Sequence, residues 1–129
     1  MDNIKINILM NLDVSGDDLD NILVTAFEGG SNYWINKIEV DDYKGCEFAS
    51  HVVSKGGDVW IYTDDSPRYF INKERLLKGI SKWFAEYYYP RHIVKHSLEM
   101  PSSFSDIDFD AGDTDIIIQL AIFKEVIYG

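Results

Sequence analysis

Cysteine, long apolar runs and targeting signals are all scarce in this 129-residue sequence. Cys46 is the only cysteine, so no disulfide can form within the chain, and a zinc site would need His and carboxylate ligands almost alone. No apolar run reaches the roughly 18 residues of a membrane-spanning helix. Residues 1–14 lack the basic start and the cleavage site of a signal peptide. These absences predict a cytoplasmic protein with no membrane contact.

Basic side chains are also few, with 12 Lys and Arg against 22 Asp and Glu and a net charge of −10. Nucleic acids and anionic membranes bind to clusters of Lys and Arg that neutralise phosphate, so both are poor partners for this chain. We therefore expect no direct nucleic-acid binding. An acidic surface suits either simple solubility or a basic protein partner.

Sequence motifs for common chemistries are missing. There is no GxSxG nucleophile motif and no cysteine motif beside a histidine. The pairs Gly29-Gly30 and Gly56-Gly57 match neither GxxxxGK[ST] nor GxGxxG, so no phosphate loop is predicted. Paired carboxylates are abundant, but an acidic chain offers them by chance. We predict no catalytic residue and no cofactor.

Two patterns invite a metal site and fail on spacing. The alternating aspartates that begin at Asp106 resemble an EF-hand loop, but the glycine position holds Ala111 and the glutamate position holds Ile117. His92 and His96 are four residues apart, a suitable spacing on a helix, but no third ligand has a defensible position. The prediction is that the protein holds no metal.

The residues present in quantity are apolar, at 46% of the chain, which is enough for one domain with a packed core. Alternating apolar residues predict strands at 4–10 and 37–41 and a hairpin at about 58–71. We expect a single α+β domain over residues 1–129, with a small, mainly antiparallel sheet.

Apolar residues spaced three or four positions apart predict helices, which form the second layer of the domain. The predicted helices lie at about 16–29, 47–55, 73–89 and 114–128. Residues 91–112 have no firm period, so we expect a loop or an insertion there. Pro90 is expected to close the third helix.

The glycine pair at the end of the first helix leaves two alternatives. The apolar phase continues to Tyr33 and Trp34, which favours a helix that runs through Gly29 and Gly30. Two glycines cost about 2 kcal/mol in a helix interior, which favours a break or kink. We expect a backbone or contact reason for at least one glycine, and a largely buried Trp34.

Aromatic residues make up 14% of the chain, which is a high share. They are either core residues or the anchors of a binding surface. The predicted binding residues, mostly aromatic, are Asn32, Tyr33, Trp34, Trp60, Tyr62, Arg68, Tyr88 and Tyr89. Tyr88 and Tyr89 leave the apolar face of their helix and are expected to be exposed. Together with the nearly all-apolar final helix, they favour a homodimer with a two-fold interface.

The stretch Thr25–Trp34, TAFEGGSNYW, resembles the TALEGG-x-NYW stretch of a family of small proteins encoded by phages and prophages of low-GC Gram-positive bacteria. The resemblance extends over most of the chain, at Glu47–Ser50, Gly56-Gly57, Leu76-Leu77-x-Gly79, Asp115–Phe123 and Val126–Gly129. It departs at residues 88–105. It implies a phage accessory protein and carries over no activity or catalytic residue.

These observations favour a non-enzymatic protein that binds and blocks a host factor, including a factor of host defence. The target is either a host protein or a small signalling nucleotide, and a nucleotide would need a concave aromatic pocket with basic or backbone donors. One alternative is a structural or assembly role in the virion or the lytic programme. Another is a carboxylate-dependent hydrolase that uses His92 or His96.

Overall fold

The computed structural model describes residues 11–64, 68–95 and 99–129. Their regular elements are α1 (Gly16–Thr25), β1 (Lys37–Glu39), β2 (Val59–Tyr62), β3 (Tyr69–Ile71), α2 (Lys73–Trp83) and α3 (Ala111–Phe123). Helices thus accompany a small antiparallel sheet, which confirms the predicted α+β fold and its hairpin. The strand predicted at 4–10 lies outside the described residues.

The sheet has the order β1-β2-β3, and both pairings are antiparallel. Ile61 stands opposite Ile38 on one side and Tyr69 on the other. Because side chains alternate along a strand, this row faces the helices, and the Tyr69 ring meets Phe123 of α3 edge-on at 4.9 Å. The next row, with Trp60 at its centre, faces away from them.

The α1 helix begins as its sequence predicts. The Ser15 hydroxyl accepts the Asp18 N–H at 3.1 Å, and the Asp18 carboxylate accepts the Ser15 N–H at 2.9 Å. This capping box satisfies two of the free N–H groups at the helix start, with Asp in place of the usual Glu. Ile22 and Leu23 then lie fully buried in the core.

The α2 and α3 helices pack directly against each other, and Gly79 sets their distance. A Cβ at this position would lie 2.6 Å from the Ile117 carbonyl oxygen and 2.9 Å from the Ala121 Cβ. Only glycine allows this approach without moving a helix. Ile117 and Ile118 are fully buried, so α3 is packed inside the domain.

The glycine pair lies within the helical path. α1 continues into a segment of wide turns, Ala26–Gly30, in which the Ser31 N–H donates to the Ala26 carbonyl five residues earlier at 2.8 Å. A Cβ at Gly29 would touch nothing, whereas one at Gly30 would lie 2.4 Å from the Ala111 carbonyl oxygen. The helical path ends after Gly30. The backbone at this position packs closely against α3, which explains why the residue is a glycine.

The prediction that Pro90 closes the third helix is wrong. Wide turns continue α2 from Phe84 to Val94, and the Lys95 N–H donates to the Pro90 carbonyl at 3.2 Å. In an α-helix the proline ring meets the carbonyl four residues earlier. In a wider turn, hydrogen bonds join residues five apart, and the carbonyl four residues before the proline points away from its ring. The helical path can therefore include Pro90.

Residues 91–112, predicted as a loop or insertion, are in part ordered by the core. Phe104 begins a short 3-10 turn (Phe104–Asp106) and is fully buried. The Phe104 N–H donates to the Asp13 carbonyl at 2.8 Å, and the Asp13 N–H donates to the Ser102 carbonyl at 2.8 Å. This segment is therefore joined to the chain before α1.

Two other helix predictions need correction in their bounds. The helix predicted at 47–55 consists of two 3-10 turns, Ala49–His51 and Val53–Lys55. The final helix starts three residues before the predicted 114, because Asp110 and Asp113 form a capping box. It ends at Phe123 instead of 128, since Lys124 adopts a left-handed conformation with φ 65°.

Candidate functional site

Two groups of aromatic and polar side chains contain most of the predicted binding residues. The first lies between the chain after Gly30 and the α3 helix, and we call it the Asp115 cluster. It consists of Ser31, Tyr33, Trp34, Asp115 and Gln119. The second is the outward row of the sheet, which we call the outer sheet face. It consists of Lys37, Glu39, Trp60, Tyr62, Arg68 and Phe70, together with Arg75, whose guanidinium reaches the Phe70 ring from α2.

Asp115 is the centre of the first group, and only 7% of it is exposed. Its Oδ1 accepts the Ser31 hydroxyl at 2.8 Å and the Trp34 indole N–H at 2.7 Å. Its Oδ2 accepts the Tyr33 hydroxyl at 2.6 Å and the Gln119 amide at 3.0 Å. Every donor is neutral, and these bonds replace the water that a buried carboxylate would otherwise need.

Tyr33 joins this group only through its hydroxyl, because 59% of the residue is exposed. Partial burial, then the hydrogen bond to Asp115 and its negative charge, raise the pKa of Tyr33 to about 12. The hydroxyl therefore stays protonated and continues to donate well above neutral pH.

Gln119 connects the group to the chain after α3. Its Oε1 accepts the N–H groups of Ile127 and Tyr128 at 2.9 and 2.8 Å, and its Nε2 donates to the Tyr128 carbonyl at 3.2 Å. The Tyr128 ring stacks on Trp34 with centroids 5.2 Å apart and planes 4° apart. Trp34 is 5% exposed, which confirms the expected burial and assigns it to the core.

The outer sheet face has a different chemistry. Trp60 and Phe70 are cross-strand neighbours with ring centroids 5.5 Å apart. The Arg68 guanidinium lies 3.9 Å from the Trp60 ring, and the Arg75 guanidinium lies 3.9 Å from the Phe70 ring. Two guanidinium groups therefore stack on two neighbouring rings, which are only partly buried.

Two carboxylates accept hydrogen bonds from aromatic side chains of this surface. The Trp60 indole donates to Asp41 at 3.1 Å, and the Tyr62 hydroxyl donates to Glu39 at 3.2 Å. Glu39 also pairs with Lys37 at 3.1 Å and with Arg68 at 3.6 Å. The hydrogen bond from Lys37, followed by that from Tyr62, lowers the pKa of Glu39.

Arg75 differs from Arg68 in its hydrogen-bond and ion-pair partners. It makes a long hydrogen bond of 3.5 Å to the Phe70 carbonyl, and within the described ranges no carboxylate pairs with it. Its guanidinium is therefore fixed over a ring with most of its N–H donors unused.

The remaining predicted residues join neither group. Tyr88 is half-buried and stacks on Phe84 at 5.3 Å and on His92 at 4.6 Å. Tyr89 is also half-buried and packs against the core, so the expected exposure of this pair is wrong. Asn32 is exposed and lies between members of the Asp115 cluster.

Sequence reasoning missed four of the central residues. Phe70 was predicted only as part of the hairpin, although strand alternation places it on the same face as Arg68. Arg75 lies on α2 and reaches this face only through the fold. Asp115 was predicted only as one of the alternating aspartates, and Gln119 only as a residue of the final helix. Only the fold places these two beside residues 31–34.

The alternating aspartates that begin at Asp106 have different structural roles. Asp110 and Asp113 cap α3, and Asp115 accepts bonds in its own cluster. Across residues 11–64, 68–95 and 99–129, no group of three or more His, Cys, Asp or Glu side chains is placed to hold a metal ion. A cavity of about 180 Å³ is lined by Asp41, Asp42, Lys44, Gly56, Gly57 and Asp58.

None of the helices in the described part of the chain has the length and apolar character needed to cross a membrane. No family model, no curated protein and no solved structure matches this chain.

Proposed function

We propose that this is a non-enzymatic binding protein that contacts a protein partner through the outer sheet face. The observation that carries the proposal is the pair of guanidinium groups stacked at 3.9 Å on Trp60 and Phe70. The solvent-facing side of an antiparallel sheet is normally polar, so aromatic rings at its centre are unusual there. Trp, Tyr and Arg are also the residues that contribute most to protein interfaces.

The partner's chemistry follows from the charges on this face. Arg75 has unused donors and no carboxylate beside it among the described residues, and Arg68 shares Glu39 with Lys37. A carboxylate from the partner would pair with Arg75, and an apolar side chain beside it would cover the Trp60 and Phe70 rings. The site therefore suits a segment with an acidic residue next to an aromatic or aliphatic one.

A small nucleotide is supported less well. Nucleotide sites are concave and supply donors to phosphate. The cavity of about 180 Å³ carries Asp41, Asp42 and Asp58 on its wall, and these carboxylates repel phosphate. The outer sheet face has the right cations but presents a sheet surface instead of a pocket. A protein segment is therefore the better ligand.

The resemblance of residues 25–34 to phage and prophage proteins gives this proposal its setting. In that setting the protein acts in the cytoplasm of a bacterial host, where it binds and blocks a host protein. Inhibition would require only occupation of the target's surface, which agrees with a binding face that has no catalytic group.

The test is selection from a random peptide display library with the purified protein as bait. Peptides that combine Asp or Glu with an aromatic residue should be enriched. Trp60→Ala and Arg75→Glu should weaken their binding at least about tenfold, since interface anchors of these types contribute about 1–2 kcal/mol or more.

Phe48→Ala is the matched control, because Phe48 is 55% exposed and lies outside the outer sheet face. It should leave peptide binding unchanged. If the selected peptides bind Trp60→Ala as well as the original protein, the outer sheet face is not the site. Titration with ATP and with cyclic dinucleotides tests the alternative, and binding that depends on Trp60 would favour a nucleotide over a peptide.

A further inference from the structure

The segment after α3 is held by contacts that a second copy of the chain could supply equally well. We propose that Ile127–Gly129 can leave its own Asp115 cluster and dock on that of a second copy, which gives a dimer by exchange of this segment. We call residues 124–126 the connector and residues 127–129 the tail. The proposal is independent of the outer sheet face.

The connector has the properties of a hinge. Lys124 adopts φ 65° and ψ 2°, a left-handed conformation in which a lysine is strained and a glycine is not. Lys124, Glu125 and Val126 are all exposed. Two hydrogen bonds hold Lys124, from Lys82 Nζ to its carbonyl and from its N–H to the Leu120 carbonyl, and both lie before Glu125. Short, strained connectors favour exchange of the segment that follows them, because exchange removes the strain.

The sequence supports a second conformation of this hinge. Val126 and Ile127 lie four residues after Ile122 and Phe123, so they continue the apolar pattern of α3. That pattern predicts a helix up to residue 128, five residues beyond the observed end. In the folded-back conformation, Val126 and Ile127 are 38% and 50% exposed. Extension of α3 through the connector alone would relax Lys124 and carry the tail about 4.5 Å outward, while a non-helical tail keeps its N–H groups available for Gln119.

The tail is recognised through features that do not depend on which chain it belongs to. Gln119 accepts two of its backbone N–H groups and donates to one carbonyl, and Trp34 stacks on the Tyr128 ring. A tail from a second copy would make the same contacts. The balance between monomer and dimer therefore depends on the hinge and on the entropy of association.

Light scattering of the purified protein over a wide concentration range measures this balance. Deletion of Glu125 shortens a three-residue connector by about 3.5 Å, so the tail can no longer reach its own Gln119. This variant should be dimeric, and adding Tyr128→Ala should return it to a monomer because the ring that stacks on Trp34 is gone. A Glu125 deletion that stays monomeric at millimolar concentration would overturn the proposal, as would a dimer that survives Tyr128→Ala.

Lys124→Gly tests the hinge without shortening it. Glycine relieves the strain of the folded-back form and weakens an extended helix, so the dissociation constant of the dimer should rise about 10²-fold. Lys44→Gly is the matched control, since Lys44 also has a positive φ of 54° but lies far from α3 in sequence. An equal effect of the two substitutions, or none from Lys124→Gly, would contradict a hinge at Lys124.

Discussion

Trp34 and Trp60 each donate an indole N–H to an aspartate, at 2.7 and 3.1 Å, but only Trp34 is buried. Around Trp34, a single carboxylate collects neutral donors from two distant parts of the chain. Around Trp60, two carboxylates and two guanidinium groups surround rings that remain half-exposed. Similar side chains therefore form one buried cluster and one exposed face, with different consequences.

The difference lies in how the negative charge is compensated. Asp115 is compensated by hydrogen bonds from neutral groups inside the core, where low polarity strengthens each bond and makes an unpaired group costly. Glu39 is compensated by Lys37 and Arg68 at the surface, where solvent screens the interaction. We expect the Asp115 cluster to control stability, and the outer sheet face to be free for binding at little cost to the fold.

The largest expected effect comes from Asp115→Ala. It leaves the donors of Ser31, Trp34 and Gln119 without their acceptor, and unfolding free energy should fall by about 4 kcal/mol. Asp115→Asn keeps one acceptor oxygen but places an NH2 group among donors, so about half that loss is expected. Urea unfolding measures both. A loss below about 1 kcal/mol for Asp115→Ala would mean that the cluster does not support the fold.

A smaller effect separates the two neighbouring glycines. Gly30→Ala would place a Cβ 2.4 Å from the Ala111 carbonyl, so α3 must shift and stability should fall by about 2 kcal/mol. Gly29→Ala meets no atom within 4 Å and should raise stability by about 0.5 kcal/mol. Thermal unfolding of the two variants gives the comparison. Equal changes would show that the Gly30–Ala111 contact is looser than described.

The smallest effect concerns alkaline pH. Because the pKa of Tyr33 is about 12 in the folded protein and 10.0 without these contacts, the unfolded chain loses this proton first. This contribution to stability is complete below pH 10 and declines as the pH rises toward 12. In Tyr33→Phe, stability should fall less steeply over that interval. Identical slopes for the variant and the original protein, measured by urea unfolding at several pH values, would contradict the Tyr33–Asp115 bond.

Local sequence patterns predicted the elements that depend on short spacing. The α1 capping box and the hairpin of β2 and β3 follow from residues close together in the chain, and the helical phase of residues 19–34 indicated that Trp34 is buried. The wide turn at Pro90 could not be read in this way, because proline normally ends a helix and only packing of the adjoining aromatic residues favours its continuation.

The candidate site was harder to predict for a similar reason. Asp115 and Gln119 lie more than 80 residues from Tyr33, and their contacts depend on how α3 packs. The sequence drew attention to residues 29–34 as a motif, and the structure places most of their polar groups inside the molecule. On the outer sheet face, Trp60, Tyr62 and Arg68 were selected from sequence. The position of Phe70 beside Trp60 required the strand register, and that of Arg75 required the placement of α2.

The most direct test compares Trp34→Ala with Trp60→Ala by urea unfolding. Trp34→Ala removes a buried ring and one donor to Asp115, and unfolding free energy should fall by about 4 kcal/mol. Trp60→Ala removes a half-exposed ring and should cost about 1 kcal/mol. This result would support a structural role for the first tryptophan and leave the second available for binding. Equal losses, or a larger loss for Trp60→Ala, would contradict the division between the Asp115 cluster and the outer sheet face.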